Sequence, residues 1–172
     1  MESFEKESPF HFHELFFSRT NPRGIIISGN SVFQRVSQYD WNEVLQKPHS
    51  LIRHPRMPRG VFHLLWETIQ QEQMIGAYVV NRAKNGSYYW VFALVLPIED
   101  GYLSIRLKPS SPIFSIVREK YDQLLETEKI QELSPQTSNT TLQNEIRQLG
   151  FESYREFMIE ALVQELQGRQ SE

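Results

Sequence analysis

Apolar and polar positions change period several times along this chain, and each change marks an element. Residues 23–29 hold the β-branched run Ile25-Ile26-Ile27 between Asn21-Pro22 and Gly29-Asn30, which predicts a strand. From Ser31 to Pro58 the pattern breaks into short pieces with three prolines, the mark of short helices and turns. Residues 61–73 place Phe62, Leu65, Trp66 and Ile69 on one face of a longer helix. Residues 75–82 and 88–97 read as two strands around Lys84-Asn85-Gly86-Ser87, whose Asn-Gly pair is a strong hairpin signal. Residues 101–108 alternate Tyr102, Ser104, Arg106 and Lys108 with Leu103, Ile105 and Leu107. That is a half-buried strand, entered through Glu99-Asp100-Gly101.

The period then lengthens to that of helices. Lys108-Pro109-Ser110-Ser111-Pro112 is turn-rich and reads as a hinge or stop. Ser111 can cap a helix that starts at Pro112, with Ile113, Ile116, Val117, Tyr121, Leu124 and Leu125 as its apolar face. Ser134-Pro135 repeats the cap-and-proline signal before a stripe of Leu142, Ile146 and Leu149, stopped by Gly150. Ser153 to Glu156 spells a capping box. Tyr154, Phe157, Met158, Ala161, Leu162 and Leu166 make the third stripe. Three stripes must be buried on each other, on the first part, or on another chain.

Composition narrows the class. The 172 residues are 40% hydrophobic and 23% charged, enough for one packed domain and a small appendage. Lys plus Arg is 18 against 21 for Asp plus Glu, a net −3 that excludes a generic polyanion binder, so no nucleic-acid partner is expected. Cysteine is absent, which excludes disulfides, thiolate metal sites and thiol nucleophiles. No apolar run nears the roughly 20 residues a membrane helix needs. The acidic N-terminus lacks the basic and apolar regions of a signal peptide. A soluble, cytoplasmic protein is expected. Residues 118–172 carry 6 basic and 11 acidic residues, and the first 117 carry 12 and 10. All three tryptophans and all five histidines lie before residue 100. No Ser–His–Asp order, Gly-rich phosphate loop or carboxylate pair stands out, so no enzyme is expected. His11 and His13 make an incomplete metal pair, and no metal is expected.

The residues themselves point further. Asn30-Ser31-Val32-Phe33 followed by Val36-Ser37-Gln38-Tyr39 resembles the N-x-x-F and S-G-Y opening of PAS sensors. Pro48-His49, then Ile52 to Pro58, is similar to the P-H-N-x-x-R-H-P-D-M-P stretch of aerotaxis-receptor PAS domains. Phe62 and Trp66 fall on that subfamily's F-x-x-x-W, and Asn81 to Val91 resembles its N-R-x-K-N-G-x-x-Y-W-V hairpin. The set covers about residues 19–108. The resemblance implies an α+β PAS fold: a five-stranded antiparallel sheet with short helices on one face, followed here by a C-terminal helical extension. It sets the expected boundaries at 1–18 for an N-terminal cap segment, 19–109 for the sensor domain and 110–172 for the extension.

The resemblance also implies a noncovalently bound FAD that reports redox state or oxygen, as in aerotaxis and chemotaxis signalling. By position it assigns Asn30, His49, Arg53, His54, Phe62, Trp66 and Asn81 to lining or supporting the flavin pocket, and Trp90 joins them as a candidate. The chemistry suits the roles. Carboxamides of Asn30 and Asn81 both donate and accept, Phe62 and Trp66 offer flat faces, and Arg53 can pair with phosphate. The sequence departs from the pattern where Arg56 replaces Asp, Ser50 replaces Asn, Gln38 replaces Gly and Met74-Ile75 replaces Pro-Trp. The expected product is a sensor that passes its state to its C-terminal helices, as a homodimer or to a signalling partner. The alternatives are a cofactor-free interaction and dimerisation module, a haem sensor using His49, His54 or His63, and a receptor for another small molecule.

Overall fold

The computed structural model describes residues 6–170. Five antiparallel strands, β1 (Leu15–Thr20), β2 (Ile26–Gly29), β3 (Ile75–Arg82), β4 (Tyr88–Ile98) and β5 (Gly101–Leu107), form one sheet in the order β2-β1-β5-β4-β3. Between β2 and β3 lie α1 (Ser31–Ser37), α2 (Trp41–Val44), a 3-10 turn (His49–Ile52) and α3 (Arg59–Gln70). After β5 come α4 (Pro112–Ile130), α5 (Pro135–Gln148) and α6 (Tyr154–Gln167). This is the α+β architecture expected, with β1 supplying the strand that the hydrophobic pattern did not mark. Leu15-Phe16-Phe17 has no alternation to read, yet Phe16 is fully buried while Leu15 and Phe17 face outward. β1 begins four residues before position 19 and pairs along its whole length with β5.

The sheet's two faces have different partners. On the inner face, Phe16 meets Phe33 of α1 and Tyr89 of β4 edge-on, with centroids 6.0 and 6.1 Å apart. On the outer face, Tyr78 meets Phe92 at 5.0 Å, and Trp90 meets Phe114 and Tyr121 of α4 at 5.3 and 6.3 Å. Strand β3 is an edge, and α6 blunts it. Tyr154 donates its hydroxyl to the Gly76 carbonyl at 3.0 Å, and the Gly76 amide points at Met158 Sδ at 3.1 Å.

Two buried carboxylates hold the extension. Helix α3 starts at Arg59 with no side-chain cap of its own from Pro58. Its Gly60 amide donates instead to Glu128 of α4 at 3.2 Å and to Ser138 Oγ of α5 at 3.1 Å. Glu165 of α6, with no exposed surface, accepts from Tyr78 OH at 2.9 Å, Ser111 Oγ at 2.6 Å and the amides of Ser110 and Ser111 at 2.8 and 3.2 Å. Ser111 therefore corrects the sequence reading: it occupies the N-cap position of α4, but its hydroxyl serves Glu165 rather than the helix. Ser134 caps α5 as expected, accepting from the Thr137 amide. At Ser153 only half of the capping box forms, because Glu156 reaches the Glu152 amide instead. Ile116 and Leu166, read as members of apolar faces, are each 45% exposed.

Candidate functional site

A cavity of about 850 Å³ lies between the inner face of the sheet and helix α3. Its size is in the upper part of the roughly 300–1,000 Å³ of small-molecule sites. Helix α3 supplies one wall through Phe62, Leu65, Trp66 and Ile69, the four positions whose spacing predicted the helix. The sheet supplies the other through Val79 and Asn81, Ala93 and Val95, and Tyr102, Ser104 and Arg106. Alternation in β5 showed that one face is buried but not which. Here the polar face is inside: Ser104 is 8% and Arg106 2% exposed, while Leu103 and Ile105 are half-buried on the outside.

Five of the eight expected site residues line this cavity: His49, Arg53, Phe62, Trp66 and Asn81. Trp66 is wedged between Tyr102, edge-on at 5.8 Å, and Gly24. Gly24 has φ 74°, and a Cβ there would sit 2.9 Å from the indole, so both backbone and neighbour demand glycine. The guanidinium of Arg53 lies 4.0 Å over the Phe62 ring and covers one of its faces. Asn81 is 3% exposed, and its carboxamide makes no hydrogen bond to the described residues. Ser104 Oγ is likewise buried with no partner.

Asn30, His54 and Trp90 stand elsewhere. Asn30 caps α1: its Oδ1 accepts from the Phe33 amide at 3.2 Å and its Nδ2 donates to the Leu15 carbonyl at 3.1 Å. The N-x-x-F pattern thus encodes a cap and a core residue. His54 is 2% exposed and shapes a turn, its Nδ1 accepting from the Arg56 amide at 3.1 Å. It borders a separate shallow hollow beside α4. Trp90 is on the outer face under α4. The departures from the family pattern also find places. Arg56 pairs with Asp122 of α4 at 2.8 Å on the surface, a contact worth at most about 1 kcal/mol. Gln38 takes the left-handed conformation, φ 60°, that glycine would adopt at the end of α1.

The residues that sequence reasoning missed are on the sheet floor. Arg106 donates to Ser18 Oγ at 3.0 Å and lies 2.6 Å from His49 Nε2. It sits 5.0 and 5.9 Å over the rings of Phe16 and Phe33. Guanidinium has no acceptor, so His49 Nε2 accepts and the imidazole proton is on Nδ1. Burial first, and then the Arg106 charge, hold His49 far below the ordinary imidazole range, to about 3. Burial lowers Arg106 to about 10, which leaves it charged at neutral pH. The available signal was a strand whose polar face reads Tyr-Ser-Arg instead of the Lys and Glu of a solvated face. At the rim, Arg23, Arg53 and Arg59 add positive charge, and Glu67 is the sole carboxylate lining the cavity among the described residues. The extension reaches the rim too: Pro135 of α5 lines it, and Arg59 donates to the Leu133 carbonyl at 2.5 Å.

Comparison with known proteins agrees with this geometry. Residues 26–104 match the family model described as PAS fold. The Escherichia coli aerotaxis receptor is 31% identical over 125 residues, 70% of this chain and 25% of the receptor. The nitrogen fixation regulatory protein of Klebsiella pneumoniae is 27% identical over 81 residues, 47% of this chain and 16% of that protein. This chain therefore spans about a quarter of the receptor's length and less of the regulator's. Among solved structures, the blue-light activated histidine kinase EL346 of Erythrobacter litoralis superposes with a TM-score of 0.51 at 12% identity, covering 64% of this chain and 39% of that one, a likeness of fold. No helix among the described residues is long and apolar enough to cross a membrane.

Proposed function

Because this chain carries a PAS domain of the aerotaxis-receptor type, we propose that its cavity binds FAD and that the redox state of the flavin is passed to the C-terminal helices. The observation that carries this is the donor set around the cavity. A free carboxamide (Asn81) and a free hydroxyl (Ser104) face a slot walled by Trp66 and Phe62, under a rim of three arginines. A flavin asks for this combination: a flat apolar slot, amide-like partners at the ring edge and cations for its phosphates. When bound, it supplies a two-electron redox centre. Asn81 then holds the ring edge, Trp66 orients its plane, and Arg53 with Arg59 neutralises phosphate charge. Haem through His49 is disfavoured, since the same nitrogen accepts from Arg106.

The route outward runs through β3. Val79 and Asn81 face the cavity, and Tyr78 on the opposite side donates to Glu165 of α6 at 2.9 Å. A change in hydrogen bonding at Asn81 thus bears on the strand that anchors the extension, which delivers the signal to a partner protein or to a second copy of the chain. The absorbance spectrum of freshly purified protein, with mass spectrometry of released ligand, tests the cofactor. A flavin double band and an FAD mass are expected. A featureless spectrum that persists after incubation with excess FAD overturns the reading and favours the cofactor-free module. Asn81→Ala tests the route. Unchanged flavin binding, reduction and hydrogen-exchange protection of α6 would refute it.

A further inference from the structure

The charge on the cavity floor has no counterpart among the described residues. Arg106 is 2% exposed, and its two hydrogen-bond partners, Ser18 Oγ and His49 Nε2, are both neutral. Three of its five N–H donors make no hydrogen bond to the described residues. No carboxylate among those residues lies within ion-pair distance of it. Glu67, the cavity's own carboxylate, is on α3 and accepts from Asn139 of α5 at 3.3 Å. Ser104, one step along β5 on the same face, adds a buried hydroxyl with no partner. Buried cations in folded proteins are paired. Here the unfilled partner position opens onto the cavity.

We propose that Arg106, with His49, Ser18 and Ser104, forms an anion subsite in the sheet floor, so that the ligand presents to it a group that is negatively charged or becomes so on reduction. His49 contributes as a neutral acceptor that fixes the guanidinium plane through its 2.6 Å contact, and Ser18 does so from β1. This is distinct from the rim, where Arg23, Arg53 and Arg59 are more accessible and suited to phosphate. For a flavin ligand the inference rests on the FAD reading above. Reduction adds two electrons and one proton to the neutral ring and leaves one negative charge, which the floor would hold. The chain would then bind reduced FAD more tightly than oxidised FAD in proportion to the Arg106 charge.

The full chain, Arg106→Gln and Arg106→Lys are titrated with oxidised FAD and, under dithionite, with reduced FAD. The ratio of the two dissociation constants is the readout. Arg106→Gln keeps donors without the charge, and the preference for the reduced form is expected to fall at least tenfold, a drop of about 30 mV in the two-electron midpoint potential. Arg106→Lys is expected to stay within threefold of the parent. An unchanged ratio in Arg106→Gln overturns the subsite. Should that variant fail to fold, as judged by circular dichroism, Ser104→Ala decides: a two- to threefold fall supports the subsite and no change overturns it. If the parent chain takes up no FAD in either state, the FAD reading has failed by itself. The subsite is then decided with benzoate against benzamide. Benzoate binding at least tenfold the tighter, and lost in Arg106→Gln, supports it, while equal binding or none overturns it.

Discussion

Glu165→Ala removes the acceptor on which the start of α4 and the outer face of β3 converge. Four neutral donors lie within 3.2 Å of this fully buried carboxylate, Tyr78 OH, Ser111 Oγ and the amides of Ser110 and Ser111, while Ser110 Oγ and Arg169 stand further off at 3.5 and 3.7 Å. Hydrogen bonds to a charged group are worth about 1.5–3 kcal/mol each, so a plain sum would reach about 6–12 kcal/mol. The geometry argues for less. Tyr78 OH and Ser111 Oγ are already 3.0 Å apart and can satisfy one another. Ser110 is at the surface, where its amide can take water. Arg169 keeps the carbonyls of Lys108 and Phe12. What stays uncompensated is the Ser111 amide and a small void, with an expected loss of about 3–5 kcal/mol, the range for breaking a buried charged contact. Against a usual stability of about 5–15 kcal/mol, the variant folds but is marginal. Glu165→Gln keeps one acceptor and should lose about 1–3 kcal/mol. Urea denaturation gives the magnitudes, and hydrogen exchange locates them: α6 amides should lose protection before those of β4. A loss under about 1 kcal/mol in Glu165→Ala, or α6 protection equal to the parent's, refutes the argument.

Three further outcomes are expected. Gly60→Ala would place a Cβ 2.4 Å from Ser138 Oγ and 2.5 Å from the Asn139 amide nitrogen. The resulting separation of α3 from α5 outweighs the helix-propensity gain of about 1 kcal/mol and costs a net 1–3 kcal/mol or so by urea denaturation; a stabilised variant would show that the two helices yield freely. Asn30→Ala loses the α1 cap and the tie to β1, about 1–2 kcal/mol, and leaves ligand affinity unchanged; a selective loss of affinity would return Asn30 to the cavity. His49 has a folded-state pKa depressed to about 3. The unfolded chain therefore takes up a proton that the folded one refuses below pH 6.5. Stability should fall with pH between about 6.5 and 3 by up to about 1.4 kcal/mol per unit, less for the part of the ring that touches the open cavity. His49→Gln removes that component, and parallel stability curves for the two proteins would contradict it.

What the chain reveals by pattern and what it conceals follow from the range of the interactions. Strands β2 to β5 have local causes, β-branched runs and an Asn-Gly turn, and α5 and α6 have Ser caps of their own. The spacing of apolar residues makes α3 and α4 visible too, although their starts are completed from later helices. Strand β1 is decided by pairing with β5 82–92 residues away, for Leu15 meets Leu107 and Thr20 meets Tyr102, so Leu15-Phe16-Phe17 alone cannot announce it. The site divides along the same line. Phe62 and Trp66 were legible through helical spacing, and Arg53, His49 and Asn81 through resemblance to a family. Asn30, His54 and Trp90 stand outside the cavity because position in the sequence does not fix orientation, and His54 turns its ring to the Arg56 amide. Asn30 sits at a helix start where capping claims its side chain, and Trp90 at the strand parity that points outward. Arg106 was overlooked because arginine in an alternating strand reads as the solvated half.

Two buried glutamates change how the extension relates to the sheet. A serine or aspartate at an N-cap stabilises its own helix whatever the rest of the chain is doing. Helices α3 and α4 lack such a cap bond, and the Gly60 amide in the first turn of α3 and the amide of Ser111, the N-cap residue of α4, are met by carboxylates 68 and 54 residues further on. Each start is therefore stable only when a later helix is docked: α3 needs α4 and α5 in place, and α4 needs α6. The dependence runs both ways, since an undocked Glu128 or Glu165 would have to regain water and leave buried amides unpaired. Helices linked like this are expected to lose hydrogen-exchange protection together, as one cooperative unit. Strand β3 and helix α3 carry the cavity walls and the contacts with these carboxylates on the same elements. On the proposed reading, a ligand held between these walls would act on a cap, and through the cap on the whole extension.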